Sequence, residues 1–247
     1  TIAITGADLS PTSNGLPIPM WTVVAMQAGS RLQFGIRRQG TRAYLTAAGG
    51  ITGPMTLGSL STHVRSGLGG LAGRAAKKWD QFSVGPAARV AASFIGRSLP
   101  ERYLPRYAQS PTVRVMPGPQ VDYFTDDAVR RLTSGPYRVT TESDRMGYRL
   151  EGTELPHRGS AEIVSEAVCV GSLQVPSNRQ PILLMADCQP TGGYAKLATM
   201  IGADRSRAAQ LAPGDSLSFR IISAQKASEL FRSKSAELDR ILPPCRS

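Results

Sequence analysis

YRVTTESDRMGYRLEG, residues 137–152, holds two short runs, Tyr137-Arg138-Val139 and Tyr148-Arg149-Leu150, on either side of the polar SDRMG. In each run apolar and polar residues alternate. A period of two sends successive side chains to opposite faces of a pleated strand, so the segment predicts two strands and a turn rather than a helix. The same rhythm surrounds it. TVRVMPG (112–118), AEIVS (161–165), QPILLMAD (180–187) and DSLSFRII (215–222) are brief β-branched or alternating runs ended by Gly, Pro or polar residues. TIAIT (1–5), RLQFGI (31–36), RAYLTAAG (42–49) and QFSVG (81–85) repeat it in the first half. The chain reads as mainly β.

Helical signals are few. Thr125 before DDAVRRLTS predicts an N-cap, with acids in the first turn and arginine later, as the helix dipole favours. DRSRAAQL (204–211) predicts a short helix. Over 224–242, Ala227, Leu230, Phe231, Leu238, Ile241 and Leu242 fall at helical spacing, and Pro243–Pro244 ends the run. Residues 86–111 break the strand rhythm with four prolines among scattered arginines and read as a connection. The expected division is a first barrel over 1–85, a Pro/Arg-rich connection over 86–111, a second barrel over 112–223, and a C-terminal helix and tail over 224–247. KKWDQFSV (77–84) and APGDSLSFR (212–220) close the two parts alike, each after a Gly-rich segment, which fits a repeated design.

With 247 residues, 41% of them hydrophobic, the chain can bury a core and is not of disordered composition. No run approaches the roughly 20 apolar residues of a membrane helix. TIAITGAD shows no secretory signal, and three cysteines without a C-x-x-C suggest neither a disulfide nor a zinc framework. A reducing cytoplasm is the expected compartment. The formal charge is +11 and uneven: residues 1–110 carry 12 basic against 3 acidic groups. Such a balance suits an anionic substrate or acidic partner. Nucleic acid is not expected, because aromatics are only 6% and the arginines do not alternate with them.

Common enzyme signatures are missing. The sequence has no P-loop, no G-x-S-x-G elbow, no H-E-x-x-H, and only two histidines, His63 and His157, so no metal site is expected. Gly67-x-Gly69-x-x-Ala72 matches a dinucleotide fingerprint in letters alone, since no βαβ pattern surrounds it.

Three segments are denser in chemistry. Asp144–Arg145, at the turn before Gly147, can hold a carboxylate substrate through the arginine fork, or can simply cap the turn and pair at the surface. PILLMADCQPTGGYAKL (181–197) delivers Asp187 after a buried strand. Gly192–Gly193 then allow close backbone approach, and Tyr194 and Lys196 lie on one face of any strand starting there. Asp187 can accept a proton and Lys196 can neutralise an anion, unless the segment is a Gly-Gly hairpin with snorkelling side chains. Arg65, in the Gly-rich loop 62–70, is a further anion ligand, whereas His63 has no evident partner. Cys188 beside Asp187 is a poor nucleophile, since a neighbouring carboxylate raises a thiol pKa.

RAYLTAAGGI…LGSLSTHVRSGLGG (42–70), VMPGPQVDYFTDDAV (115–129), SDRMGYRLEG (143–152) and GSLQVPSNRQPILLMADCQPTGGYAKLATMI (171–201) together resemble one family, in order and over nearly the whole chain. It is the biotin-dependent carboxyltransferase-like family, which includes the KipA protein, the C subunit of 5-oxoprolinase, and the second subunit or domain of allophanate hydrolase and urea carboxylase. The resemblance implies two cyclophilin-like β-barrel domains with a few short helices. Its members carry a further segment before Thr5–Asp8, so the first barrel is expected to be short of strands. Cys188, Pro190 and Ala195 stand where the family has Arg, Thr and Pro.

The activity implied first is that of the C subunit of an ATP-dependent 5-oxoprolinase. It would work with an A subunit and a KipI-like B subunit to open the lactam of 5-oxoproline to glutamate. ATP would be used at the level of the complex. Biotin enters only if a partner carries it, since no Met-Lys-Met attachment site is present. In that reading Arg65, Arg145, Gln174, Thr191, Gly192, Gly193, Tyr194 and Lys196 bind the anionic substrate. Asp144 or Asp187 assists proton transfer, and both segments face one cleft of the second barrel. The alternatives are the carboxyltransferase component of a urea carboxylase-type system (allophanate hydrolase subunit 2) and a non-catalytic regulator that binds a KipI-like partner. The Ser–Ser–Lys machinery of an amidase is absent.

Overall fold

The computed structural model describes residues 1–241, with Arg89 as backbone only. Leu242, Pro243–Pro244 and Cys245 lie outside the described residues. The chain forms two compact units, 1–38 with 43–105, and 39–42 with 106–247.

The first unit is built from short strands. They are β1 (Ile2–Asp8), β2 (Thr12–Ser13), β3 (Leu16–Pro17), β4 (Val23–Val24), β5 (Leu32–Gln33), β6 (Gln39–Ala47, of which residues 39–42 count with the second unit), β7 (Ile51–Thr52), β8 (Thr62–His63), β9 (Leu68–Gly69) and β10 (Ser83–Val84). They group as β4-β1-β6, β3-β2-β5, β8-β9 and β10-β7. Ile4, Ala7 and Ile18 are its buried apolar residues, while Leu57 and Trp79 are almost fully exposed. An Arg74 fork onto Asp80, at 2.7 and 2.8 Å, ties one loop and holds that carboxyl well below the usual range.

The second unit contains β11 (Thr112–Pro117), β12 (Tyr137–Val139), β13 (Gly147–Glu151), β14 (Glu162–Ala167), β15 (Ser172–Gln174), β16 (Ile182–Leu184), β17 (Thr191–Tyr194), β18 (Lys196–Met200) and β19 (Ser216–Ile221). Seven of these close a barrel in the order β11-β18-β15-β16-β13-β12-β19, and β14 and β17 form a separate ribbon. The closure is parallel, with Thr112 opposite Ser218 and Val115 opposite Ile221. The mainly β class expected from alternation holds; the closed barrel lies in the second unit, and the first unit's strands sit in four small sheets.

Alternation explains the barrel core. Val113 and Val115 of β11, Tyr137 and Val139 of β12, and Leu217 and Phe219 of β19 all point inward and are buried. Fully burying each such side chain contributes about 1.5–3 kcal/mol. Tyr137 satisfies its hydroxyl by donating to Thr153 O at 3.1 Å, and burial pushes its pKa up to about 12. The expected helix is α1 (Asp126–Ser134), where Thr125 Oγ1 accepts from Ala128 N–H at 3.1 Å and Ala128 and Leu132 enter the core. A 3-10 turn at 202–204 leads into α2 (Arg205–Ala208), and α3 (Ala224–Ile241) follows the last strand. Among the described residues no helix is long and apolar enough to cross a membrane.

Candidate functional site

The β14–β17 ribbon carries Glu166 opposite Gly192 and Ala167 opposite Thr191. After Tyr194 the chain leaves the ribbon through Ala195 and enters the barrel at Lys196, opposite Gln174. Ala195 is fully buried and its N–H donates to Ala161 O at 3.0 Å; the proline expected there by resemblance would lack this donor. The break at Ala195 overturns the shared face expected for Tyr194 and Lys196: Tyr194 is exposed, whereas Lys196 is 3% exposed.

Around Lys196 the structure gathers a polar cluster in an apolar barrel end. Lys196 Nζ donates to the Glu166 carboxylate, and Gln120 Nε2 donates to the same carboxylate. Gln120 Oε1 accepts the Lys196 backbone N–H at 3.2 Å, and the buried Gln174 Nε2 donates to Tyr194 O at 3.4 Å. A buried ammonium needs a counter-charge, and Glu166 supplies it. The lysine bond, with that from Gln120, holds the Glu166 carboxyl below its ordinary range. The Glu166 side chain remains 45% exposed, so the pair joins barrel interior to solvent.

Two glycines make this packing feasible. A Cβ on Gly118 would fall 2.2 Å from Lys196 O, and one on Gly192 would fall 2.5 Å from Gln174 Nε2. A side chain at position 192 would thus displace the Gln174 amide, whereas one at 118 would meet backbone. Gly193 is looser, since a Cβ there would stand 3.4 Å from Ser165 Oγ.

Asp187 and Arg145 meet elsewhere. Asp187 lies in the turn after β16, where its N–H donates to Arg145 O at 2.8 Å. Arg145 Nε and Nη2 donate to Asp187 Oδ2 and Oδ1 at 2.6 and 2.9 Å. Asp144 Oδ1 accepts the N–H groups of Met146 and Gly147 at 2.8 and 3.2 Å, closing the turn before β13. Register separates this pair from the lysine cluster. Gly147 pairs with Leu184 at one end of the β16 ladder, and Gln174 pairs with Ile182 and Lys196 at the other. The two segments therefore meet at Asp187, which Arg145 bonds, whereas Lys196 lies toward the Ile182 end of the ladder and pairs with Glu166 instead. Cys188, near Asp187, has its thiol pKa raised by burial first and by Cys169 and Asp187 further.

Arg65 belongs to the first unit, on an exposed 3-10 turn between β8 and β9. Its glycines serve the turn: Gly67 is left-handed at φ 63°, and a Cβ on Gly70 would collide with Thr62 Oγ1 at 1.8 Å. His63 Nδ1 lies 2.8 Å from Ser66 Oγ, giving the histidine a local partner. Among the described residues no group of three or more His, Cys, Asp or Glu can hold a metal ion.

Sequence reasoning missed Gln120 and Glu166. Glu166 lies on a strand whose other residues are mostly exposed, so alternation could not mark it. Gln120 follows two prolines in a loop, and hydrogen bonds of its own backbone and side chain, with that of Gly118 N–H to Leu197 O, bring it to Lys196.

Residues 1–221 match the family described as carboxyltransferase domain, subdomain A and B. The C subunit of 5-oxoprolinase from Escherichia coli strain K12 is 34% identical over 225 residues, covering 91% of this chain and 70% of that protein. A putative urea carboxylase of Emericella nidulans is 29% identical over 90% of this chain and 19% of its own length. The crystal structure of the Kluyveromyces lactis urea carboxylase superposes with a TM-score of 0.87 at 26% identity, over 97% of this chain. The chain spans 23% of that enzyme's length.

Proposed function

The chain belongs to the carboxyltransferase family of subdomains A and B, and from that premise we propose that it is the C subunit of an ATP-dependent 5-oxoprolinase. The similarity to a 5-oxoprolinase C subunit over 70% of that protein supports this reading. The observation that carries it chemically is the buried Lys196 ammonium, whose partner Glu166 reaches solvent beside Gln120. An ammonium in a low-dielectric barrel end stabilises developing negative charge better than one in water. It is therefore suited to the oxygen of a lactam whose C–N bond is opening. Glu166 can accept a proton from an attacking water, while the Gln120 and Gln174 amides orient a polar substrate. Arg145 and Asp187, at the other end of the ladder, are proposed as a second polar contact for substrate or partner, with Asp144 fixing their turn. Thr191 and Tyr194 flank the lysine cluster on the ribbon. Arg65 is proposed as an anion ligand of the first unit.

ATP is a co-substrate of the complex in this reading, since the chain has no P-loop. The partners are an A subunit and a KipI-like B subunit, in the cytoplasm. The exposed apolar side chains of the first unit, Leu57 and Trp79 foremost, suit such association. Co-expression with the A and B subunits should give a complex that hydrolyses 5-oxoproline only with ATP. Lys196→Met should reduce that turnover at least tenfold without dissociating the complex. ATP-dependent turnover by the A and B subunits alone at the full rate would overturn the proposal.

A second reading, the carboxyltransferase component of a urea carboxylase-type system, draws on the likeness to the Kluyveromyces lactis enzyme. Biotin would then arrive on a partner and supply the carboxyl group. The glutamine amides and Lys196 are a fitting donor set for a ureido ring and a carboxylate. Carboxylation of urea with a biotinylated carrier, and no 5-oxoproline turnover, would select it.

A further inference from the structure

We propose that a second anion site, for a phosphoryl group, lies where the start of β11 meets β19 and α2, in a cavity of about 310 Å³ lined by four arginines. Arg106, Arg114, Arg207 and Arg220 supply the charge, with Tyr107 and Thr112 at the wall. Arg114 and Arg220 are direct register neighbours on parallel strands, an arrangement of like charges that is unfavourable unless something neutralises it.

Asp204, the carboxylate bonded to Arg114, is already committed. Asp204 is fully buried and accepts from the Arg114 backbone N–H and Nε, both at 2.8 Å; Arg207 Nη1 stands 3.8 Å away. Burial opposes the Asp204 charge, but the Arg114 bonds outweigh it and keep the carboxyl below its usual range. Arg106 and Arg220 make no ion pair among the described residues, and both are exposed. Close by, Lys234 Nζ donates to Ala203 O at 2.8 Å and Ser206 Oγ at 2.9 Å. Its pKa is lowered by burial first, with Arg207 and Arg114 adding to this and Asp204 and Glu237 opposing it. The four cavity arginines and Lys234 thus outnumber the carboxylates that act on them, Asp204 and Glu237.

A phosphoryl group answers this arrangement better than a monocarboxylate. It carries close to two charges near neutral pH and presents acceptor oxygens in several directions, which separate guanidinium forks can share. The site is distinct from the lysine cluster. Arg114 O accepts from Ile201 N–H, beyond the far end of β18 from Lys196, so no residue is common to both.

Titration calorimetry of the full chain with inorganic pyrophosphate, at ionic strength held constant with sodium chloride, tests it. Saturable binding below about 1 mM is expected, weakened at least tenfold in the Arg106→Ala/Arg220→Ala double variant. Arg106→Ala alone, an exposed and unpaired position, should weaken it severalfold with an unchanged melting temperature. The control variant Arg138→Ala/Arg149→Ala removes two charges elsewhere in the second unit and should bind as the parent does. Equal weakening in that control, undiminished binding in the double variant, or equal affinity for malonate would each overturn the proposal.

Discussion

Lys196 is buried to 3% exposure, yet the carboxylate of Glu166 that neutralises it is 45% exposed. The asymmetry means the two ends of the pair respond differently to substitution. Removing the carboxylate leaves a buried ammonium without its counter-charge, whereas removing the ammonium leaves a carboxylate that water can solvate. Glu166→Gln should therefore lower the melting temperature by several degrees, and Lys196→Met by less, because methionine fills the same volume without charge. The double variant should melt above Glu166→Gln alone. Calorimetry of the three variants checks the order. A double variant less stable than either single one would contradict it.

Gly118 should be intolerant of any side chain. A Cβ there would stand 2.2 Å from Lys196 O and 2.8 Å from Ala198 N, both backbone atoms of a central barrel strand that cannot swing aside. Overpacking of this kind typically costs about 1–3 kcal/mol, so Gly118→Ala should shift the urea midpoint down at unchanged slope. Gly214→Ala is the useful comparison. That residue has open space but φ near +93°, so its cost comes from backbone strain alone.

The strands of 112–222 could be read because apolar alternation directly records which side chains fill a barrel. Thr125 and the acids after it marked α1 for a similarly local reason. Closure of the barrel was not local: β11 pairs in parallel with β19, about a hundred residues away, and no pattern in either strand names its partner. The lysine cluster fails for the same reason. Lys196 and Gln174 lay in the quoted block, but Gln120 and Glu166 join them through strand register and a glycine contact. The four arginines that line the cavity beside β11 come from four separate segments and looked like dispersed charge.

Arg145 separates a structural from a functional role. Its fork onto Asp187 has good geometry, but the arginine side chain is 69% exposed. Exposed ion pairs contribute about 0–1 kcal/mol, so Arg145→Ala should move the melting temperature by no more than about 2–4 °C. If the pair contacts the anionic substrate, the same variant should raise KM for 5-oxoproline about tenfold in the reconstituted complex. An unchanged KM and kcat would leave the pair with the turn-fastening role that Asp144 already has.

His157 predicts a pH dependence of stability near neutrality. Its ring packs on Phe124 with centroids 4.6 Å apart, and Nε2 donates to Val175 O at 3.0 Å. Burial lowers its pKa below the ordinary value, the Val175 bond partly opposes this, and Arg179 adds to it. The unfolded chain therefore takes up a proton at a higher pH than the folded one. Stability from the neutral, buried ring is fully present above the unfolded value of about 6.5 and is lost as pH falls from there toward the lowered folded value. Carboxylates such as Glu166 and Asp204, whose pKa values are also lowered, act at more acidic pH and do not overlap this window. His157→Gln keeps a donor for Val175 O and removes the titration. Its unfolding free energy should stay flat between about pH 7.5 and 5.5, while that of the parent declines. Parallel pH profiles for the two proteins would show that burial of His157 does not govern this loss.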